Sequence, residues 1–580
     1  MRIVFKQYRM LLATYLAPQK FKVAQMALLL LSSIALELLC PQILGYFIDS
    51  TRLGVIISGL LFIACLYIGT NVVSAIATVL TTYVSEQVGW AATNALRADL
   101  TLHCLRLDLP FHHTHSPGEL VERIDGDVTI LSNFFSQFTV QFLGNMLLLI
   151  GVLAALFYLN IFLGIAFAVF TIVAIVILNW LRRFAMPHWK STRQVSANFL
   201  GFLEEHISGR EDIHFSGAVA YVMRTFFLFS RNSLRSEMKA GSIGAFTPAA
   251  TIGLFGVSYS IAFLLGAHLL LDKTITLGQL YLLFSYISVL NRPVEGFSTQ
   301  LEDLQQASAC IARVGELLQI QSSIVGLQDR HLPQGNLALE LEHVFFSYHD
   351  QQPVLQDITF TLEPGQVLGL LGRTGSGKST CARLILRMHD PQSGTVRLGN
   401  VDLATIDPSE IGKSVGMVTQ KVQLFHGTVR DNLTFFDKEV TDERLLELLN
   451  DLGLHNWYKR LPAGLDTELD ATSSNLSAGE AQLLAFARVF LRNPGIVLLD
   501  EASSRLDSAT EALIDRAVEK LLYERTAIII AHHLETVRRV DTIMILEDGK
   551  IIEYGPRVDL EADRESHFSR LLRSGMEELV

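Results

Sequence analysis

The stretch Val367-Leu-Gly-Leu-Leu371-Gly372-Arg-Thr374-Gly375-Ser-Gly377-Lys378-Ser379-Thr380 decides the fold of the C-terminal part of this chain. Val367–Leu371 is an apolar run of strand length, and Thr380–Arg387 has the character of a helix. Between them stands the pattern GxxxxGK[ST], in the strand-loop-helix setting that the pattern requires. Glycines let successive backbone N–H groups turn inward, and the helix N-terminus adds a field that favours anions. The loop is therefore expected to cradle phosphates, with Lys378 on the β- and γ-phosphates of a nucleotide and Ser379 on Mg²⁺.

Two further strands point to the same site. Ile496-Val-Leu-Leu499 ends in Asp500-Glu501. A continuous apolar run reads as a central parallel strand that delivers its terminal carboxylates to the carboxyl edge of a sheet. Asp500 is expected to hold Mg²⁺, and Glu501 to polarise an attacking water as a general base. Thr526–Ile530 ends at Ala531-His532, and His532 is a suitable sensor of the γ-phosphate because it can donate a hydrogen bond to it. Thr542–Leu546, a Glu547-Asp548-Gly549 turn and Lys550–Glu553 read as a closing hairpin. From about Asn336 onward, short β-branched runs alternate with amphipathic helices, the texture of an α/β domain.

Upstream the texture is different. Asp, Glu, Lys and Arg are missing from Val23–Leu36, Leu53–Ser85, Val128–Leu181, Ala240–Leu271 and Thr274–Asn291. A membrane span needs about 20 predominantly apolar residues. Six spans are expected, near 22–47, 53–80, 134–158, 161–182, 245–271 and 276–295. The long segments Glu86–Asp127 and Arg182–Lys239 carry many basic residues and are expected on the cytoplasmic side. Each is long enough for two helical arms reaching about 30 Å past the bilayer, suited to touching another domain. The division expected is a transmembrane domain over 1–310, a linker over 311–335 and a nucleotide-binding domain over 336–580. The basic N-terminus before the first apolar run reads as the flank of an uncleaved span.

Composition agrees. Of 580 residues, half are apolar and only 18% are charged, below the roughly 25% of ordinary soluble domains. The net charge of −11 gives no reason to expect a nucleic-acid partner. Five scattered cysteines form neither a disulfide framework nor a zinc site. Glu37, inside the first span, is either a functional carboxylate or a helix-packing residue. Asn71, Asn145 and Asn179 are expected to hydrogen-bond between helices. His112, His113 and His115 read as a solvated loop rather than a metal site.

The combined residues resemble the ABC transporter family. Leu476-Ser477-Ala478-Gly479-Glu480 resembles its signature motif, Val418-Thr-Gln420 its Q-loop, Ser504-Arg-Leu-Asp507 its D-loop, and His532 its switch histidine. Tyr348 matches the aromatic that stacks on adenine. The membrane half is similar to exporters in which a six-helix bundle is fused to an ATPase domain. The resemblance implies an ATPase that binds ATP and Mg²⁺. Glu501, His532 and Gln420 would serve hydrolysis. Tyr348, Gly372, Thr374, Gly375, Gly377, Lys378, Ser379 and Thr380 would bind nucleotide, with Ser379, Gln420 and Asp500 around the metal. It also implies a dimer in which Ser477 and Gly479 contact the partner chain's ATP.

Several positions depart from the pattern. Glu480 replaces the usual Gln, Thr467-Glu-Leu-Asp470-Ala471 lacks the usual Gly-Glu, Arg505 replaces a small residue, and His533 replaces Arg. These lie on contact surfaces, so a heterodimer with a second half-transporter is favoured over a homodimer. The expected function is export of a small apolar or amphipathic cargo through a bilayer, a bacterial inner membrane with the ATPase domain cytoplasmic. An ATP-gated channel, a regulatory subunit and an exporter-shaped importer are the alternatives.

Overall fold

The computed structural model describes residues 13–324, 331–348, 352–420, 422–469, 476–500, 508–531 and 537–574. The chain forms two compact units: residues 1–106 with 116–320, and residues 107–115 with 321–580.

The first unit is all helix. Its long helices are α1 (Lys20–Arg52), α2 (Ile57–Arg106), α3 (Thr139–Leu159), α4 (Ile161–Ser208), α5 (Val219–Gly244), α6 (Phe246–Leu271) and α7 (Leu277–Gln319). Among the described residues, five helical segments are long and apolar enough to cross a membrane: Ala13–Arg52, Ile57–Arg106, Pro117–Leu159, Ile161–Ser208 and Val219–Leu271. The sixth expected span, 276–295, is helical as the first part of α7 but is not one of these five. Its window carries Arg292 and Glu295 along with the apolar residues. The apolar runs and the charged arms are continuous helices, so α2 alone extends about 75 Å at 1.5 Å per residue.

Residues that face inward build the core of this unit: Phe167, Leu283, Tyr286 and Ile287 pack with Leu163, Leu178 and Ala262. Large apolar residues such as Leu28, Phe62, Val73 and Ile172 face outward. That inversion suits lipid rather than water as the surrounding solvent. The end of α1 is pinned to the start of α7. Asp49 accepts hydrogen bonds from Thr276 Oγ1 at 2.6 Å and from the Gly278 N–H at 2.8 Å. Asn71 donates to Tyr67 O of its own helix and does not bridge to a neighbour, because it lies on an exposed face.

The second unit is α/β. A four-stranded antiparallel sheet runs in the order β2 (Leu355–Leu362), β1 (Leu339–Phe346), β4 (Ser393–Leu398), β5 (Val401–Asp402). The larger sheet contains β3 (Val367–Leu371), β6 (Val415–Val418), β9 (Ile496–Asp500), β10 (Thr526–Ile530), β11 (Thr542–Glu547) and β12 (Lys550–Pro556), in the order β12-β11-β3-β10-β9-β6. The short strands β7 (Gly427–Thr428) and β8 (Glu468–Leu469) pair with each other. In the larger sheet every neighbouring pair is parallel except β11 with β12. The β11–β12 turn carries Asp548 at φ 45° and Gly549 at φ 76°, both positive as a two-residue hairpin turn requires. Strands β3 and β10 are buried along their whole length, which explains their unbroken apolar sequences.

Residues 107–115, although early in the chain, belong to this second unit. Asp108 caps the short helix Leu109–Thr114 by accepting from the Phe111 N–H. The same carboxylate accepts from Ser323 N–H at 2.5 Å, Ser323 Oγ at 2.6 Å and Ser322 Oγ at 3.2 Å. Burial alone would raise its pKa, but the bonds from Ser323, Phe111 and Ser322 hold it below the ordinary carboxylate value. His115 stacks on Phe111 at 4.4 Å between ring centroids. Among the described residues, no three or more His, Cys, Asp or Glu side chains are grouped so as to hold a metal ion.

Candidate functional site

The loop after β3 owes its path to glycine. Gly372, Gly375 and Gly377 adopt φ of 145°, 86° and 106°. A Cβ at Gly372 would overlap Leu546 O, and one at Gly377 would lie 2.6 Å from Leu355 Cδ2 and 3.1 Å from Val354 O. The chain then enters α8 (Lys378–Ile385). Lys378 is 5% exposed and folds back over the loop, donating to Gly372 O at 2.5 Å and Arg373 O at 3.0 Å.

This loop walls a cavity of about 590 Å³. Thr374, Gly375, Gly377, Lys378, Ser379 and Thr380 line one side of it. Tyr348, Gln420 and Asp500 reach it from the end of β1, the segment after β6 and the end of β9. Each is at least 70 positions from the next in sequence; the parallel sheet brings Gln420 and Asp500 to the cavity, and Tyr348 comes from the antiparallel sheet. The β9–β10 register sets Asp500 opposite Ile530 at the carboxyl ends of those strands. Gly372 contributes its carbonyl to Lys378. Glu501 and His532 lie outside the described residues, as do Ser504, Arg505, Asp507 and His533.

Tyr348 is held as a platform. Its hydroxyl lies 3.1 Å from Thr380 Oγ1 and accepts from Arg383 at 2.8 Å. Its ring meets Phe346 and His389 edge-on, each at 5.0 to 5.3 Å between centroids. His389 is buried, and burial, followed by the nearby charges of Arg383 and His113, lowers its pKa, with Asp108 opposing. Neither Arg383 nor His389 stands out in sequence. Both follow a recognisable loop on the next turns of chain, and that proximity is the available signal.

Ser477 and Gly479 are not part of this cavity. They begin α9 (Ala478–Arg492). Ser477 Oγ accepts from Glu480 N–H at 3.2 Å, and the Glu480 carboxylate accepts from Ser477 N–H at 2.9 Å, a reciprocal capping box. Arg460 binds the other carboxylate oxygen of Glu480 at 3.0 Å. Further along α9, Arg488 donates to Asn432 O at 2.7 Å and Gln423 O at 2.8 Å. Its guanidinium lies over Phe435, and burial depresses its pKa to about 10. Arg488 thereby fastens the stretch after Gln420 to the helical part of the unit, a role that sequence pattern does not disclose.

Comparison with known proteins bears on the family and the fold. Residues 23–294 match the family model of the ABC transporter transmembrane region, and residues 355–504 match the family model described as ABC transporter. An uncharacterized ABC transporter ATP-binding protein, YfiC of Bacillus subtilis, is 27% identical over 94% of this chain and 91% of its own. A fatty acid ABC transporter ATP-binding/permease protein of Mycobacterium bovis is 29% identical over 81% of this chain and 74% of its own. The solved structure of a bacterial Atm1-family ABC exporter with ATP bound shares the fold, with a TM-score of 0.79 at 22% identity over 96% of this chain and 98% of that one. The chain belongs to the ABC transporters, with an exporter-type transmembrane region and a transport-coupled ATPase domain on one polypeptide.

Proposed function

We propose that this chain is one half of a dimeric exporter that moves an amphipathic or apolar cargo across a bacterial inner membrane, its ATPase domain facing the cytoplasm. The observation that carries this is the gathering of Lys378, Ser379, Gln420, Asp500 and Tyr348 around one cavity in a domain fused to an apolar helical bundle. Tyr348 would take the adenine face, and Lys378 would exchange its loop carbonyls for phosphate oxygens. The hydroxyl of Ser379, the amide oxygen of Gln420 and the carboxylate of Asp500 are hard oxygen donors, a set that suits Mg²⁺. The ion, when bound, neutralises charge on the phosphate oxygens. Glu501 follows Asp500 directly and would accept the proton of the attacking water, while His532 would donate to the γ-phosphate.

In the dimer, the start of α9 would face the partner chain's nucleotide. Glu480 brings a carboxylate to that surface. Its departure from the usual Gln, together with those at Asp470, Arg505 and His533, supports a surface matched to a particular partner, and so a heterodimer. The amphipathic cargo is in keeping with the relative described as a fatty acid transporter. Reconstitution into liposomes tests the reading: ATP-dependent movement of a labelled amphiphile is expected, abolished by Glu501→Gln. Transport that persists without ATP would refute it. Full stimulated ATPase activity from the chain expressed alone would refute the heterodimer.

A further inference from the structure

Tyr348 lines the nucleotide cavity with 39% of its surface exposed, so its ring is free to tip unless the covered part is held. The hydroxyl is tethered at Thr380 and Arg383, which fixes one point of the ring. The flank is held by His389. Its ring centroid lies 5.3 Å from that of Tyr348 at an interplanar angle of 85°, and 5.3 Å from that of Phe346. Phe346 in turn meets Tyr348 at 5.0 Å and 88°. The three rings form a closed set, each against the other two in the tilted or edge-on geometry that aromatic pairs prefer.

The chain on both sides of His389 is fixed. Arg387, just past the end of α8, turns through φ 50°. Its buried guanidinium donates to Ile406 O and grips both oxygens of Asp390, at 2.8 and 3.3 Å. Gln392 then sews the chain to the end of β1, its N–H donating to Phe345 O at 2.9 Å and its Nε2 to Ser347 Oγ at 2.7 Å. The imidazole is thereby delivered beside Tyr348, where it is 7% exposed.

These surroundings suit a neutral ring only. Among the described residues, His389 Nε2 is buried without a hydrogen-bond partner. A neutral imidazole can keep a bare lone pair there, whereas an imidazolium is a donor at both nitrogens and would put an unanswered N–H and a charge into the site. Arg383 on α8 and His113 on the segment 107–115 disfavour that charge. Asp108, on the same segment, favours it but already accepts from Ser322, Ser323 and the Phe111 N–H. Asp390 is taken by Arg387.

We propose that His389 is a positioning residue for the nucleotide: its neutral ring braces Tyr348 in the plane on which the base stacks, and its protonation withdraws that brace, so that nucleotide affinity falls in acid. An imidazolium reaches water only by swinging out from between Phe346 and Tyr348, and Tyr348 then keeps its hydroxyl tether but loses its flank. The phosphates are held by the loop at Gly372–Thr380, so the effect falls on the base. This deepens the nucleotide reading and rests on Tyr348 as the adenine platform.

The test is equilibrium binding of two probes to the full-length protein in nanodiscs, between about pH 7.5 and about pH 5. The probes are a non-hydrolysable ATP analogue and inorganic triphosphate, which has no base. At the upper pH, His389→Ala should weaken the analogue by about threefold to tenfold, the worth of an aromatic pair, and leave triphosphate within about twofold. His389→Phe restores a ring without a titrating group and should bring the analogue back to within about twofold of wild type; it also guards against an alanine variant that fails to fold. As pH falls, the affinity of the wild type divided by that of the Phe variant should drop at least threefold, a ratio in which titration of the analogue's own phosphates cancels. A ratio that stays constant or rises would overturn the proposal, as would equal losses of both probes in His389→Ala, or a Phe variant as weak as the Ala one. Unchanged affinity for the analogue in Tyr348→Ala would instead overturn the platform reading.

Discussion

Replacing Gly377 by alanine should impair nucleotide binding through two separable effects. The left-handed conformation at φ 106° costs an L-residue about 1–2 kcal/mol. The new Cβ also meets Leu355 Cδ2 at 2.6 Å, which a flexible side chain can relieve, and Val354 O at 3.1 Å, which the backbone relieves less easily. Overpacking of this kind costs about 1–3 kcal/mol. If the loop escapes the strain by abandoning its phosphate-cradling shape, the sum of about 2–5 kcal/mol appears as a loss of ATP affinity of roughly 30-fold or more. Gly375→Ala is the internal control. Its φ is 86°, but a Cβ there has nothing within 4 Å. Only the conformational part applies, so its loss should be about 5- to 30-fold. Titration calorimetry with a non-hydrolysable ATP analogue, beside thermal unfolding of each variant, measures both. Affinity within threefold of wild type for Gly377→Ala, or a larger loss for Gly375→Ala, would refute the account of the loop.

Glu501→Gln should retain ATP binding and lower turnover by roughly 10²-fold or more, measured as phosphate release. Lys378→Ala should weaken ATP binding itself; undiminished affinity would count against its role on the phosphates. Arg488→Met should destabilise the ATPase unit by about 3 kcal/mol, since Asn432 O and Gln423 O each lose a buried donor at about 1–3 kcal/mol apiece, read as a lowered unfolding midpoint. His389 has a depressed pKa, so the unfolded chain takes up its proton first as pH falls through about 6.5. Stability should therefore decline from that pH down to the lower folded value, and His389→Phe, which keeps the ring packing, should flatten that decline.

The nucleotide site was legible because its chemistry is concentrated in short runs. Gly372–Thr380 carries its flanking strand and helix with it, and Asp500 ends an apolar strand that could only be central. A cavity among the membrane helices was not legible in the same way. Ser136 comes to it from one stretch and Asn291 and Gln300 from α7, stretches that meet only in three dimensions, and each alone looks like an ordinary packing residue. Helical periodicity cannot say which face of a span turns inward when the surrounding solvent is lipid. Glu37 did raise a flag as a carboxylate within a span, and it lines that cavity. Asn71 raised a similar one and turned out to bond within its own helix.

The placement of Asp108 has a consequence for biosynthesis. Its carboxylate caps a helix and binds Ser322 and Ser323, partners 214 and 215 residues further along. At translation rates of about 5–20 residues per second, those serines emerge roughly 10–40 s after Asp108 does. Throughout that interval the capping carboxylate of the short helix Leu109–Thr114 lacks the donors that bind its second oxygen. The membrane half is thus threaded before its own loop can settle, and the nascent chain carries an open socket until the ATPase unit arrives to fill it. Truncations that end before Ser322 should accordingly leave this segment sensitive to protease, however well the spans have inserted.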